Sequence, residues 1–208
     1  AKLPRPAGQT VHLNEEQQAA VDRFCEDYET GKRETYLIHG VTGSGKTEVY
    51  MELMARVLRD GKQVILLIPE ISLTYQTVMR FYRGFGDQIA ILNSRLSAGE
   101  RYDQWERAAR GEVSVMIGPR SALFAPFSNL GLILIDEEHE GAYKSETMPR
   151  YHAREVAAER ARLSGASLVL GSATPSLESY LRAQNGEYVL LPLHHRAVAG
   201  SILPKVQI

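Results

Sequence analysis

Residues Gly40, Val41, Thr42, Gly43, Ser44, Gly45, Lys46 and Thr47 follow the spacing GxxxxGK[ST]. Glycines in this pattern let the backbone wrap closely enough for successive N–H groups to point at phosphate oxygens. A helix starting at the lysine adds its N-terminal partial positive charge. Lys46 can reach the β- and γ-phosphates, and the Thr47 hydroxyl can ligate Mg²⁺. A second cluster, Asp136-Glu137-Glu138-His139, closes an apolar run. Beside a phosphate loop, Asp136 suits Mg²⁺ coordination, largely through water, and Glu137 suits orientation and deprotonation of the attacking water. His139 is placed to couple that site to whatever lies across the cleft. A third run, Gly171-Ser172-Ala173-Thr174, puts the hydroxyls of Ser172 and Thr174 where they can sense the phosphates. Gln17 is the candidate for reading a base edge and Leu13 for packing on its ring; an ordinary exposed helix residue is the alternative for Gln17.

Each cluster needs an element to hold it. Period-2 or continuous apolar runs predict strands at 35–39, 64–68, 89–92, 113–117, 132–136 and 167–171. Helical spacing predicts helices at 14–29, 46–60, 72–84, 98–110, 152–163 and 175–184. Asn14 followed by Gln17 is a capping pair for the first helix. The strand–helix alternation implies an α/β fold with a parallel, doubly wound sheet. In such a sheet ligands sit beyond the carboxyl ends of the strands, where all three clusters fall.

The 208 residues fit one domain with a substantial core. With 24 basic and 25 acidic residues, no global charge marks a nucleic-acid or membrane binder, so any polyanion site is a local patch. A lone Cys25 excludes an internal disulfide and a cysteine-based zinc site, and it suits a buried thiol in a reducing cytoplasm. No apolar run reaches transmembrane length. The expected organisation is a linker over 1–12, a nucleotide-binding lobe over 13–190 and a linker over 191–208, excerpted from a longer chain.

The order LNEEQQAAV, GVTGSGKT, LLIPEISLT, GPRSALFAPF, LIDEEH, GSATPS resembles the first RecA-like motor lobe of superfamily 2 helicases of the DEAH/DExH type. Within them it is most similar to the PriA family of replication-restart helicases; a RecG- or Mfd-type translocase is the alternative. The resemblance runs from about Leu13 to about Ser179. It implies a P-loop NTPase of three αβα layers, ATP and Mg²⁺ as cofactors, and adenine contact by Gln17. It also implies a single-strand track lined by Ser72, Thr74, Arg120 and Ser121. The stretch EGAYKSETMPRYHAREVA resembles the aromatic-rich loop that couples DNA binding to hydrolysis, with Tyr143, Lys144, Arg150, Tyr151, His152 and Arg154 as its candidates. Departures are Met148-Pro149 where Trp is frequent, Asn93 and Arg95 for His and Gly, and Pro119 for Thr. The parent is implied to be a 3′-to-5′ helicase carrying a zinc insertion and a second lobe. Its implied partners are forked DNA, primosome proteins and single-stranded-DNA-binding protein. An arginine finger from such a second lobe is worth roughly 10³–10⁵ in turnover. One lobe, a monomer by default, is therefore expected to bind nucleotide weakly and hydrolyse little. A phosphotransferase would need an Arg-rich lid, for which the sequence offers no candidate; a nucleotide-gated binding module without turnover is the remaining class.

Overall fold

The computed structural model describes residues 12–197. The expected extensions before and beyond these residues lie outside the description. Helix α1 (Glu15–Glu29) precedes β1 (Thr35–Gly40). There follow α2 (Lys46–Arg59), β2 (Gln63–Leu67), α3 (Tyr75–Phe85), β3 (Ile89–Ile91) and α4 (Ala98–Ala109). The chain continues through β4 (Val115–Gly118), β5 (Leu130–Asp136), α5 (Ala153–Ser164), β6 (Ser167–Ser172), α6 (Leu177–Gln184) and β7 (Val189–Leu193). The strands form one sheet in the order β3-β4-β2-β5-β6-β1-β7, every pairing parallel.

Alternate residues of each central strand face opposite layers, which is why their sequences are apolar throughout. Tyr36, Ile38, Val64, Leu66, Leu132, Leu134 and Val169 pack with Phe24, Leu53, Met54 and Phe81 from α1–α3. Leu37, Ile65, Leu67, Ile133, Ile135, Leu168 and Leu170 pack on the other face with Ala108, Ala157, Ala161 and Ala183 from α4–α6. Each fully buried Leu or Ile contributes about 1.5–3 kcal/mol. Cys25 lies half-buried against the first of these layers, and burial raises its thiol pKa. No helix among the described residues is long and apolar enough to cross a membrane.

All six expected strands and six expected helices form, with no end moved by more than three residues. The seventh strand, β7, lies outside the expected set. It pairs with β1, Leu37 opposite Leu190 and Gly40 opposite Leu193, so the expected boundary between 190 and 191 falls inside a strand. Pro192 masked it: proline interrupts a strand pattern and is tolerated only on an edge, which β7 occupies.

Candidate functional site

The order β5-β6-β1 sets the three clusters side by side at one edge of the sheet. β1 ends at Gly40 and α2 begins at Lys46, so the loop between them turns tightly. Gly43 and Gly45 both lie in the left-handed region, at φ 79°, where a Cβ is unfavourable. The loop is also close-packed. A Cβ on Gly40 would stand 2.5 Å from Ser44 Oγ, and one on Gly45 would stand 2.1 Å from Gln17 Nε2. No side chain caps α2 at Gly45, and the first-turn amides of a helix have no partner within it. Ser44 Oγ is buried without a hydrogen-bond partner. Lys46 Nζ donates to Gly40 O at 3.0 Å and stands 3.9 Å from Glu137 Oε1. Open amides, an unpartnered hydroxyl and a lysine resting on the loop fit a nucleoside triphosphate. Thr47 is half-buried in the first turn of α2, and it and Asp136 are the residues that could hold a Mg²⁺ accompanying the phosphates.

Gln17 is not an exposed helix residue; it is 2% exposed. Its Oε1 accepts from Asn14 N at 2.8 Å, closing a capping box at the start of α1. Its Nε2 donates to Ser44 O and Gly45 O at 3.2 Å each, which ties α1 to the phosphate loop. Leu13 is half-buried against the core beneath.

At the end of β5, Asp136 Oδ1 accepts from the Tyr50 hydroxyl at 2.9 Å, and Asp136 O accepts from the Tyr143 hydroxyl at 2.6 Å. Burial pushes the Asp136 carboxyl above the usual range, against the opposing effect of the Tyr50 hydrogen bond. Glu137, at φ 48°, is the one non-glycine residue with positive φ among those described. Such a conformation costs on the order of 1–3 kcal/mol and gathers at functional positions; here it falls on the residue expected to activate water. Its carboxylate lies between Lys46 and His139, whose Nδ1 is 3.6 Å away. His139 Nδ1 shares a 2.6 Å hydrogen bond with Ser172 Oγ, and its Nε2 is 3.5 Å from Thr174 Oγ1. His139 thus joins the acidic cluster to the third strand end by direct contact.

Glu138, given no role by sequence reasoning, is the most buried member of its cluster. It accepts from Ser176 N at 2.6 Å, Ser176 Oγ at 3.1 Å, Ser179 Oγ at 3.0 Å and Arg154 Nη1 at 3.2 Å. It thus fastens the end of β5 to the starts of α5 and α6.

The aromatic-rich segment divides. Tyr143 and Arg154, expected on the DNA side, point inward. Tyr143 is 1% exposed in the core, and Arg154 is 5% exposed and paired with Glu138 and Glu178. Aromatic and basic residue types are ambiguous here, because each also serves a buried polar network. His152 caps α5, its Nδ1 accepting from Arg154 N, and burial lowers its pKa. Arg120 turns toward the same segment: Nη1 donates to Ala142 O at 3.1 Å and to Lys144 O at 2.5 Å. Its guanidinium lies 5.3 Å from the Tyr151 ring centroid, and Phe124 meets that ring edge-on. Ser121, Lys144 and Arg150 are exposed. Thr74 caps α3 and Ser72 is half-buried in the short turn before it. These turns follow β2 and β4, neighbouring strands at the same edge of the sheet.

Residues 10–177 match the model of the family described as Type III restriction enzyme, res subunit. Among curated relatives, the chain is 54% identical over 196 residues to Replication restart protein PriA of Bacillus subtilis (strain 168), covering 94% of this chain and 24% of the relative. It is 50% identical over 188 residues to the protein of the same name from Chlamydia pneumoniae, covering 90% and 25%. The chain thus spans about a quarter of the length of these relatives. Among solved structures, RecG bound to a three-way DNA junction superposes with a TM-score of 0.67 at 21% identity, covering 92% of this chain and 25% of that one. The Pyrococcus furiosus Hef helicase domain superposes with a TM-score of 0.63 at 23% identity, covering 88% and 38%. The fold is that of a RecA-like helicase lobe. With a match that spans most of its length, the chain belongs to the ResIII family.

Proposed function

We propose that this chain is the ATP-binding first motor lobe of a 3′-to-5′ DNA helicase acting in replication restart. The observation that carries this reading is the convergence of Lys46, Asp136 and Glu137 at one sheet edge beside an uncapped helix start. The PriA name shared by relatives up to 54% identical supplies the biological setting and favours it over a RecG-type translocase.

Gly43, Gly45, Lys46 and Thr47 hold the phosphates. Gln17 is assigned to the adenine side from the family resemblance; with its Nε2 held by the Ser44 and Gly45 carbonyls, it must exchange those partners to reach a base. Thr47, and Asp136 through water, would hold Mg²⁺, which would supply charge neutralisation at the phosphates. Glu137 orients and deprotonates the attacking water, and His139 reports its position to Ser172 and Thr174. The exposed Ser121, Lys144, Arg150 and Thr74 offer contacts to a single-strand backbone, and Tyr75, 78% exposed, offers a stacking face. Zinc, primosome proteins, single-stranded-DNA-binding protein and forked DNA belong to the parent in this proposal, as does a cytoplasmic setting. The lobe alone binds nucleotide weakly and turns it over slowly.

The test is phosphate release from ATP by the full-length protein containing this chain, with and without single-stranded DNA. Stimulation by DNA, lost in Glu137→Gln, is expected. Equal release with and without DNA would contradict the motor reading.

A further inference from the structure

Tyr50 faces inward one helical turn after Lys46, is 2% exposed and packs in the apolar core. A tyrosine that deep requires a partner for its hydroxyl, whereas phenylalanine would fill nearly the same volume without one. The partner is a carboxylate at the site, Asp136 Oδ1, 2.9 Å away. To reach it the ring passes over β6 at Gly171, the residue in register with both Ile38 of β1 and Asp136 of β5. A Cβ on Gly171 would lie 1.7 Å from the Tyr50 hydroxyl oxygen and 2.8 Å from Cζ. Glycine weakens a central strand, and here it opens the path the phenol takes. The Tyr143 hydroxyl holds the Asp136 carbonyl from the opposite layer. The aspartate is therefore gripped at side chain and main chain by two buried phenols.

We propose that Tyr50 is a positioning residue for the metal step: it fixes the Asp136 carboxylate through Oδ1, leaving Oδ2 for metal-bound water, with Gly171 as the opening it needs. Tyr50 and Lys46 stand four residues apart on one helix face. The phosphate-holding lysine and the metal-holding aspartate are thus linked by one turn of α2 and one hydrogen bond. The inference rests on the reading of Asp136 as the metal residue.

The experiment is calorimetric titration of the chain with a non-hydrolysable ATP analogue, with and without Mg²⁺, for the native chain, Tyr50→Phe and Gly171→Ala, with thermal melts alongside. The native chain should bind more tightly with Mg²⁺. Tyr50→Phe should lose most of that gain, on the order of tenfold, since a hydrogen bond to a charged group is being removed. Its loss should be larger with Mg²⁺ than without. Gly171→Ala should show the same metal-selective loss by displacing the phenol, and if it fails to fold, Tyr50→Phe, which keeps the ring, decides alone. A native chain with no gain from Mg²⁺ would overturn the metal reading of Asp136 itself. A native gain that Tyr50→Phe retains in full, or an equal loss with and without Mg²⁺, would overturn the positioning role and leave the metal reading standing.

Discussion

Arg154→Met tests whether the basic residue that closes the aromatic-rich segment holds the fold rather than DNA. Its side chain is 6% exposed and that of its partner Glu138 is fully buried, with 3.2 Å between Nη1 and Oε2. Removing the cation takes the ion-pair partner from the buried Glu138 carboxyl, which keeps only its hydrogen bonds from Ser176 and Ser179. Breaking a buried pair in this way costs about 3–5 kcal/mol. For a chain of this size each kcal/mol moves Tm by roughly 2–4 °C, which gives a drop of about 6–20 °C. The second contact of Arg154, to the half-exposed Glu178, adds little to this. Urea and thermal unfolding should be followed for Arg154→Met, Glu138→Gln and the double variant. Neutralising both partners should be less harmful than the sum of the singles, by about 0.5–3 kcal/mol. An Arg154→Met chain melting within about 2 °C of native, or an additive cycle, would refute the buried-latch argument and return Arg154 to the DNA side.

Gly45→Ala combines a left-handed backbone, costing about 1–2 kcal/mol, with a Cβ driven into Gln17 Nε2; lower Tm and weaker nucleotide binding are expected together, read by melting and calorimetry. Burial holds the His152 pKa below its ordinary 6.5 in the fold. As pH falls through about 6.5 the unfolded chain takes up that proton first, so this contribution to stability is lost on acidification and is fully gone below the folded pKa. His152→Asn, which keeps a capping acceptor, should flatten that part of a Tm-against-pH profile; an unchanged slope would show that His152 does not set it. Tyr143→Phe removes the donor to Asp136 O and should cost about 1–3 kcal/mol in unfolding experiments, whereas a ligand-facing tyrosine would leave stability unmoved.

The layers of the fold were legible because continuous apolar strands and amphipathic helices each satisfy one period, and the phosphate loop because glycine spacing has few other uses. β7 was hidden by Pro192, whose meaning depends on an edge position that only the sheet order reveals. Tyr143 and Arg154 show the opposite error. Aromatic and basic residues near an acidic cluster fit nucleic-acid contact as well as a buried polar network, and local sequence does not carry burial. Glu138 stands within the acidic motif with no task evident from sequence, because its partners Ser176 and Ser179 lie some forty residues on. Tyr50 read as one more apolar position of α2. Its polar end becomes visible only when β6 is placed between β1 and β5. Gln17 was singled out, but its contact with the loop backbone depends on packing of α1 that spacing alone does not report.

The central claim is that the Gly40–Thr47 loop is a nucleotide site. Calorimetric titration of Mg-ADP into the native chain and into Lys46→Ala tests it most directly. The native chain should bind measurably and the variant should not, with both chains melting cooperatively. Undiminished binding by Lys46→Ala would place the nucleotide elsewhere and contradict the account.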